Sequence, residues 1–293
     1  MTKVEVFETN RSRLFGLAYR MLGEASEADD VLQDAFVRWN DAEGVRVPEA
    51  WLTKVVTNLC LTRLTSARAR REVYVGPWLP EPVFDRADPA DSAGPHDVVE
   101  QRESISLGLL VLLERLTPPE RAVFVLREAF GYSHREIGEI LERDEAHVRQ
   151  LYRRAREHVG EPRARFTPDH GLRRSLVERF LAAALNGDVE GLERLLADDV
   201  VAWSDGGGKV TAARRPVVGR ERVATVIAGF GRHPRIVGAS IDIRSVNGAP
   251  AIVVHEDGRL SAIMVPEIVD GRVVTFYTVA NPDKLAFAAS QEG

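Results

Sequence analysis

The chain has 293 residues, 44% of them hydrophobic and 28% charged, with a formal net charge of −5. That is an ordinary soluble composition with room for two or three domains; the bulk charge gives no sign of a polyanionic partner, although a local basic patch can sit on an acidic chain. The one cysteine, Cys60, excludes an internal disulfide and any multi-cysteine zinc site, and reads as a small buried hydrophobe.

The N-terminal stretch has no apolar core with a cleavage site, and no long uncharged apolar run follows it, so a cytoplasmic location is expected. Residues 1–72 read as all-helical. In "SEADDVLQDAFVRWN", Ser26 is the expected N-cap, with Asp29 three positions on as in a capping box. Val31, Leu32, Ala35, Phe36 and Trp39 then recur at helical spacing. In "VPEAWLTKVVTNLCLTRL", Pro48 takes the first helical position, and Leu52, Val55, Val56 and Leu59 make the apolar stripe.

Residues 73–96 are a linker, broken by Pro77, Pro80, Pro82, Pro89 and Pro95, which forbid a helix and favour extended chain. Its apolar Trp78, Leu79 and Phe84 suit docking on a neighbouring surface as well as local packing. Residues 97–165 are helical again. Thr117 with Pro118 and Glu120, Ser133 with Glu136, and Asp144 mark three helix starts. Residues 171–293 change texture. Two helical patterns, "LRRSLVERFLAAALNGD" and "VEGLERLLADD", give way after Val200 to β-rich runs. Asn247–Gly248, Asp257–Gly258 and Asp270–Gly271 separate those runs, and such pairs tolerate the positive φ of tight hairpin turns. An antiparallel meander with helices on one face, an α+β domain, is expected.

The helix pair in "YSHREIGEILERDEAHVRQLYRRAREHV" reads as a helix-turn-helix. Val148, Leu151, Tyr152, Ala155 and Val159 share an inward face; Ala146, Gln150 and Arg153 lie opposite, with Arg149 and Arg154 on the flanks. Arginine can bond guanine bidentately in the major groove and glutamine can read adenine, while Arg156, Arg163 and Arg165 can hold phosphates. The bland reading is a solvated basic face on a helical hairpin.

Three blocks in order resemble the extracytoplasmic-function group of sigma-70-type factors. "EADDVLQDAFVRWN" looks like that family's core-polymerase-binding helix, "PEAWLTKVVTNLCLTRLTSARARR" like its −10 segment, and "LTPPERAVFVLREAFGYSHREIGEILERDEAHVRQLYRRAREHV" like its −35-reading domain. The fourth piece resembles a SnoaL-like, NTF2-like cone domain. A subgroup with that domain fused carries "WLPEP", "DGGGK" and "NPDKL", which stand here at Trp78–Pro82, Asp205–Lys209 and Asn281–Leu285. The implied fold is two all-α sigma domains, the second a helix-turn-helix, followed by the α+β cone.

The resemblance implies core binding by Asp30, Gln33 and Asp34, which spacing alone would leave as a solvated acidic face. It implies −10 contacts by Lys54, Asn58 and Arg63, with a flipped base held by the loop "NDAEGVRVPEA"; Trp51 is expected in the core. It implies −35 contacts by Glu145, His147, Arg149, Gln150, Arg153 and Arg154. The regulatory motifs comprise Trp78, Leu79, Pro80, Glu81 and Pro82; Asp205, Gly206, Gly207, Gly208 and Lys209; and Asn281, Pro282, Asp283, Lys284 and Leu285. "SDGGGK" is not a Walker A loop, because Val210 stands where Ser or Thr is needed.

The expected partners are RNA polymerase core and promoter DNA, with no membrane, no metal and no cofactor. A small-molecule ligand in the SnoaL-like domain ranks ahead of catalysis by Asp242, His233 or His255, since fold analogy does not establish activity. Control in cis by the fused domain implies that no dedicated anti-sigma factor is needed. Two rivals remain at this point: a ligand-responsive helix-turn-helix regulator acting without polymerase, and a SnoaL-like enzyme with a helical targeting region.

Overall fold

The structure is a computed structural model of the chain, and it describes residues 2–85, 105–160 and 170–292. Pro89, Pro95, Arg163 and Arg165 lie outside the described residues, as do the side chains of residues 67–70. The chain forms two compact units, Met1–Val73 with Leu109–Ala164, and Tyr74–Gly108 with Arg165–Gly293. The linker residues from Tyr74 onward thus belong with the C-terminal domain.

The first unit contains α1 (Lys3–Leu22), α2 (Ala25–Asp41) and α3 (Pro48–Glu72), followed, after α4 (Leu107–Leu113), by α5 (Pro118–Glu128), α6 (His134–Leu141) and α7 (Glu145–Val159). Phe7, Leu14, Leu17, Met21, Val31, Leu32, Leu52, Val56 and Cys60 are buried in the three-helix core, and Trp51 packs half-buried on Trp39. Ser26 does not cap α2 as the sequence suggested. Gly23, at φ 73, ends α1, and the next helix begins at Ala25 with Glu24 as its N-cap and no side-chain cap. The reason is the short connection: Glu24 O already accepts from Ala28 N, and Arg71 holds the Glu24 carboxylate at 2.9 Å.

The other starts follow the sequence. Thr117–Glu120 and Ser133–Glu136 form capping boxes, Asp144 accepts from His147 N, and Pro48 sits in the first turn of α3. Between α6 and α7 the chain turns through Glu142 at φ 54. A Cβ on Gly138 would come within 2.6 Å of the Arg143 carbonyl, so the turn packs too tightly for any larger residue.

A buried charged network ties α1 and α3 to α5 inside this unit. Arg121 is 2% exposed, pairs with Glu114 and donates from Nε to the Arg20 carbonyl at 3.0 Å. Arg71 pairs with the same Glu114 and donates to the Leu22 carbonyl at 2.7 Å. Burial pushes the Arg121 guanidinium down from its ordinary range, with the Glu114 carboxylate opposing the shift. Arg13 donates to the Tyr132 hydroxyl at 2.6 Å and lies over the Phe130 ring.

The second unit contains α8 (His170–Asn186), α9 (Val189–Leu195), β1 (Leu196–Asp205), β2 (Val217–Val218), α10 (Arg220–Gly231) and α11 (Pro234–Val237). There follow β3 (Ser240–Val246), β4 (Ala249–Glu256), β5 (Arg259–Val269), β6 (Arg272–Val279) and α12 (Pro282–Ser290). The expected hairpins are present: Asn247, Asp257 and Asp270 and the glycine after each all have positive φ, and β3 to β6 pair antiparallel.

Two expectations need correction. The sheet is mixed, in the order β2-β1-β6-β5-β4-β3, and β1 runs parallel to β6, with Val201 opposite Thr275 and Trp203 opposite Tyr277. β1 also starts at Leu196, directly after α9. No tight turn joins β1 to its neighbour, so helix packing sets its direction. Nor do helices lie on one face only. Val177, Phe180, Leu192, Val223 and Ala224 pack with Val200, Ile252, Val254 and Phe276 on one side. The alternate positions, Val253, Ile263, Val265 and Val279, point to the other side. α12 packs there against β5, and the linker's Leu79 and Phe84 are buried within the same unit.

Candidate functional site

Asp205 ends β1 and is fully buried on the face that α12 covers. A buried carboxylate is costly unless hydrogen-bonded and paired, and this one is both. Its Oδ1 accepts from the Tyr74 hydroxyl at 2.6 Å and from Gly207 N at 3.1 Å. Its Oδ2 accepts from Leu79 N at 2.8 Å and from the Lys284 ammonium at 2.7 Å. Its backbone carbonyl accepts from Ala280 N and Asn281 N. Lys284 Nζ also donates to the Leu79 carbonyl and lies 4.0 Å from the Trp78 ring centroid and 4.8 Å from that of Tyr74. Asn281 caps α12 by accepting from Asp283 N, and its amide donates to Tyr74 Oη at 2.8 Å. Lys209 reaches Asp283 at 2.6 Å on the surface.

The three motifs therefore meet around one carboxylate–ammonium pair. Pro80, Glu81, Pro82 and Leu285 are buried around it, and Pro282 starts α12 exposed. Gly207 and Gly208 have positive φ, and a Cβ on Gly206 would lie 2.7 Å from the Val210 carbonyl. The glycines thus serve the sharp turn that delivers Asp205 inward. Burial, then the neighbouring Asp205 carboxylate, push the Tyr74 phenol up, so it stays a donor across the ordinary pH range.

A second contact, outside the motifs, holds the next linker residues. Phe84 forms a β-bridge with Val246. Asn247 N donates to the Val83 carbonyl, Val83 N to Asn247 Oδ1, and Asp85 N to the Ser245 carbonyl. The Asp85 carboxylate accepts from the Ser245 hydroxyl at 2.6 Å and from Gly248 N at 2.9 Å. Gln291 brackets Phe84, its Oε1 accepting from Phe84 N at 2.9 Å and its Nε2 donating to Phe84 O at 3.3 Å. Arg244 stacks 3.7 Å over the Phe84 ring. Sequence reasoning missed Tyr74, Asn247, Arg244 and Gln291; only the "NG" at Asn247 drew notice, as a turn.

In the first unit, Asp30, Gln33 and Asp34 are exposed on α2. Arg63, expected at the −10 element, pairs with Glu27 at 2.6 Å, Asp34 at 2.9 Å and Asp30 at 3.6 Å. Burial, the largest influence, pushes the Arg63 guanidinium down, but the hydrogen bonds it donates to Glu27 and Asp34, with the charge of those carboxylates, outweigh it and raise its pKa. Asn58 is exposed on α3, and Lys54 pairs with Glu142 at 2.9 Å. On α7, Val148, Leu151, Ala155 and Val159 are buried while Glu145, His147, Arg149, Gln150, Arg153 and Arg154 are exposed, so the two-faced pattern holds. Glu145 pairs with Arg149 and Glu157 with Arg153 along the helix.

Of the residues weighed for catalysis, His255 and Asp242 stand on neighbouring strands, with His255 opposite Ser240, on the face away from the core that α8, α9 and α10 cover. His255 contacts Glu292 at 3.1 Å, and His233 is exposed after α10.

Residues 6–70 match the sigma-70 region 2 family, residues 106–159 sigma-70 region 4, and residues 177–286 the SnoaL-like domain family. The ECF RNA polymerase sigma factor SigJ of Mycobacterium tuberculosis is 36% identical over 304 aligned residues, covering 99% of this chain and 95% of SigJ. This chain belongs to the extracytoplasmic-function sigma factors. The probable sigma factor SigI of the same species is 30% identical over 95% of this chain and 93% of its own length. The crystal structure of SigJ superposes with a TM-score of 0.78 at 34% identity, covering 97% of this chain and 99% of SigJ. This sigma factor thus has region 2 and region 4 helical domains followed by an NTF2-like domain with a mixed sheet. Among the described residues no helix is long and apolar enough to cross a membrane.

Proposed function

We propose that this sigma factor directs RNA polymerase core to particular promoters and that its SnoaL-like domain sets its activity in cis by holding the linker. Asp30, Gln33 and Asp34 present carboxylates and an amide to core, with Arg63 fixing the two carboxylates. Lys54 and Asn58 contact the −10 region, and α7 reads the −35 element through Glu145, His147, Arg149, Gln150, Arg153 and Arg154. The covalent chemistry is the polymerase's; the chain acts in the cytoplasm, without a cofactor and without a dedicated anti-sigma factor.

The observation that carries the regulatory part is the Asp205–Lys284 pair clasping Tyr74, Trp78 and Leu79. Chain between two promoter-reading domains can adopt the separation a promoter demands only if it is free to move. A linker held by a third domain is a direct control on both. The test is run-off transcription with purified core, comparing the full chain with a chain ending near Arg165. Core-dependent transcripts carry the sigma reading, and a difference between the two forms carries the control. Tight binding to duplex DNA with no transcript from either form refutes the first. Equal transcription by both refutes the second. Recovery of a tight, dedicated inhibitory protein with the chain counts against control in cis alone.

A further inference from the structure

We propose that the cleft between the linker and the glycine loop binds a small phosphate-bearing molecule, whose occupancy favours the docked linker. The proposal rests on the regulatory reading above, because it gives that docking a ligand.

The cleft has a volume of about 330 Å³. One wall is the linker, Val75 and Gly76; the other is Ser204, Gly206 and Gly208 and the run Lys209–Arg214. The walls touch at the edge, where a Cβ on Gly208 would lie 3.3 Å from Val75 and one on Gly76 would lie 3.8 Å from Arg214 Cα. A molecule in the cleft therefore contacts both segments, and by linkage stabilises the state in which both are present.

The lining decides the chemistry. It contains no carboxylate, two hydroxyls, from Ser204 and Thr211, and two cations, from Lys209 and Arg214. Lys209 is already paired with Asp283, so the surplus positive charge is that of Arg214, which is exposed. A guanidinium with two hydroxyls around a concavity matches the several acceptor oxygens of a phosphate better than the two of a carboxylate. The nearby Asp205 does not oppose an anion here, because it points to the other side and is neutralised by Lys284. The site is distinct from a Walker A loop: its glycines are required by packing and turn geometry, and no helix starts after Lys209.

The test is calorimetric titration of the full chain with sodium pyrophosphate at constant ionic strength, beside malonate. Saturable pyrophosphate binding is expected, weakened at least tenfold in Arg214→Ser and by less than twofold in Arg215→Ser, whose side chain does not line the cleft. In parallel, hydrogen exchange at Val75 and Gly76 should slow when pyrophosphate is present. Equal losses in the two variants mean diffuse surface charge and overturn the site. Equal affinity for malonate overturns the phosphate assignment. Binding without any change at Val75 and Gly76 overturns the coupling to the linker. Run-off transcription separates the two readings: if truncation alters transcription but pyrophosphate does not bind, this proposal falls and the regulatory one stands.

Discussion

Replacing Lys284 with methionine keeps the stem and removes the ammonium, which makes it the sharpest probe of the linker clasp. Lys284 is 5% exposed and makes two charge-assisted hydrogen bonds, to Asp205 and to the Leu79 carbonyl, besides facing two rings. Removing one partner of a buried ion pair costs about 3–5 kcal/mol, since the carboxylate is left uncompensated. Part of that cost falls on the C-terminal domain itself, because Asp205 and Lys284 both belong to it. The part that falls on docking is the Leu79 carbonyl bond, about 1.5–3 kcal/mol, and the desolvated contacts with Trp78 and Tyr74, about 1–2 kcal/mol. Docking should therefore weaken by about 3–4 kcal/mol, a change in the undocked population of roughly two to three powers of ten. The assay is amide exchange at Leu79, whose N–H ends on Asp205 in the docked state, with circular dichroism to show that the variant is folded. Exchange at Leu79 should accelerate by about the same two to three powers of ten. A folded variant whose Leu79 exchange changes by less than about threefold would refute the claim that this pair holds the linker.

Gln291→Ala should speed exchange at Phe84, whose N–H it accepts, while leaving Leu79 protected, because the two contacts lie at different places on the linker; loss of protection at both would show a single cooperative clasp. Arg121→Met should lower the denaturation midpoint of the first unit in the full chain by the equivalent of about 2–4 kcal/mol, since Glu114 keeps Arg71 but loses its other partner; an unchanged midpoint would refute a stabilising role. Tyr74 has its folded pKa raised, so its contribution to docking is complete below the unfolded value of about 10 and is lost as pH rises beyond it through the folded value. Leu79 protection, followed into that alkaline window by exchange corrected for intrinsic rate, should fall in the native chain and should not show this step in Tyr74→Phe. Gln150→Ala with Arg154→Ala should reduce transcription from a −35-dependent promoter by about 10–100-fold while core binding measured by gel filtration is unchanged.

How legible the molecule was depends on how local each feature is. Capping boxes at Thr117 and Ser133 and the three hairpin turns are decided by two to four neighbouring residues, so they could be read from the chain. Ser26 failed because the true cap depends on Gly23 closing the preceding helix one residue earlier and on Arg71 arriving from forty-seven positions away. The parallel placement of β1 failed for the same reason: nothing within its own sequence states which strand it will meet. The motifs were visible as short strings, but their shared chemistry was not. Asp205 and Lys284 are 79 positions apart, and Tyr74 is 131 from Asp205. Gln291 gave no signal at all, because a glutamine that mimics a neighbouring strand's backbone looks like any surface glutamine.

The clasp also has a consequence in time. Tyr74 to Phe84 and both promoter-reading helical domains are made before any of the C-terminal domain, and Lys284 follows Val159 by more than a hundred residues. At about 5–20 residues per second, the ribosome takes on the order of ten seconds to cover that distance. Throughout that interval the nascent chain carries its promoter-reading parts without the ammonium that holds the linker. Every molecule of this sigma factor is therefore born with its linker loose and becomes restrained only after its last strands and α12 have emerged and folded.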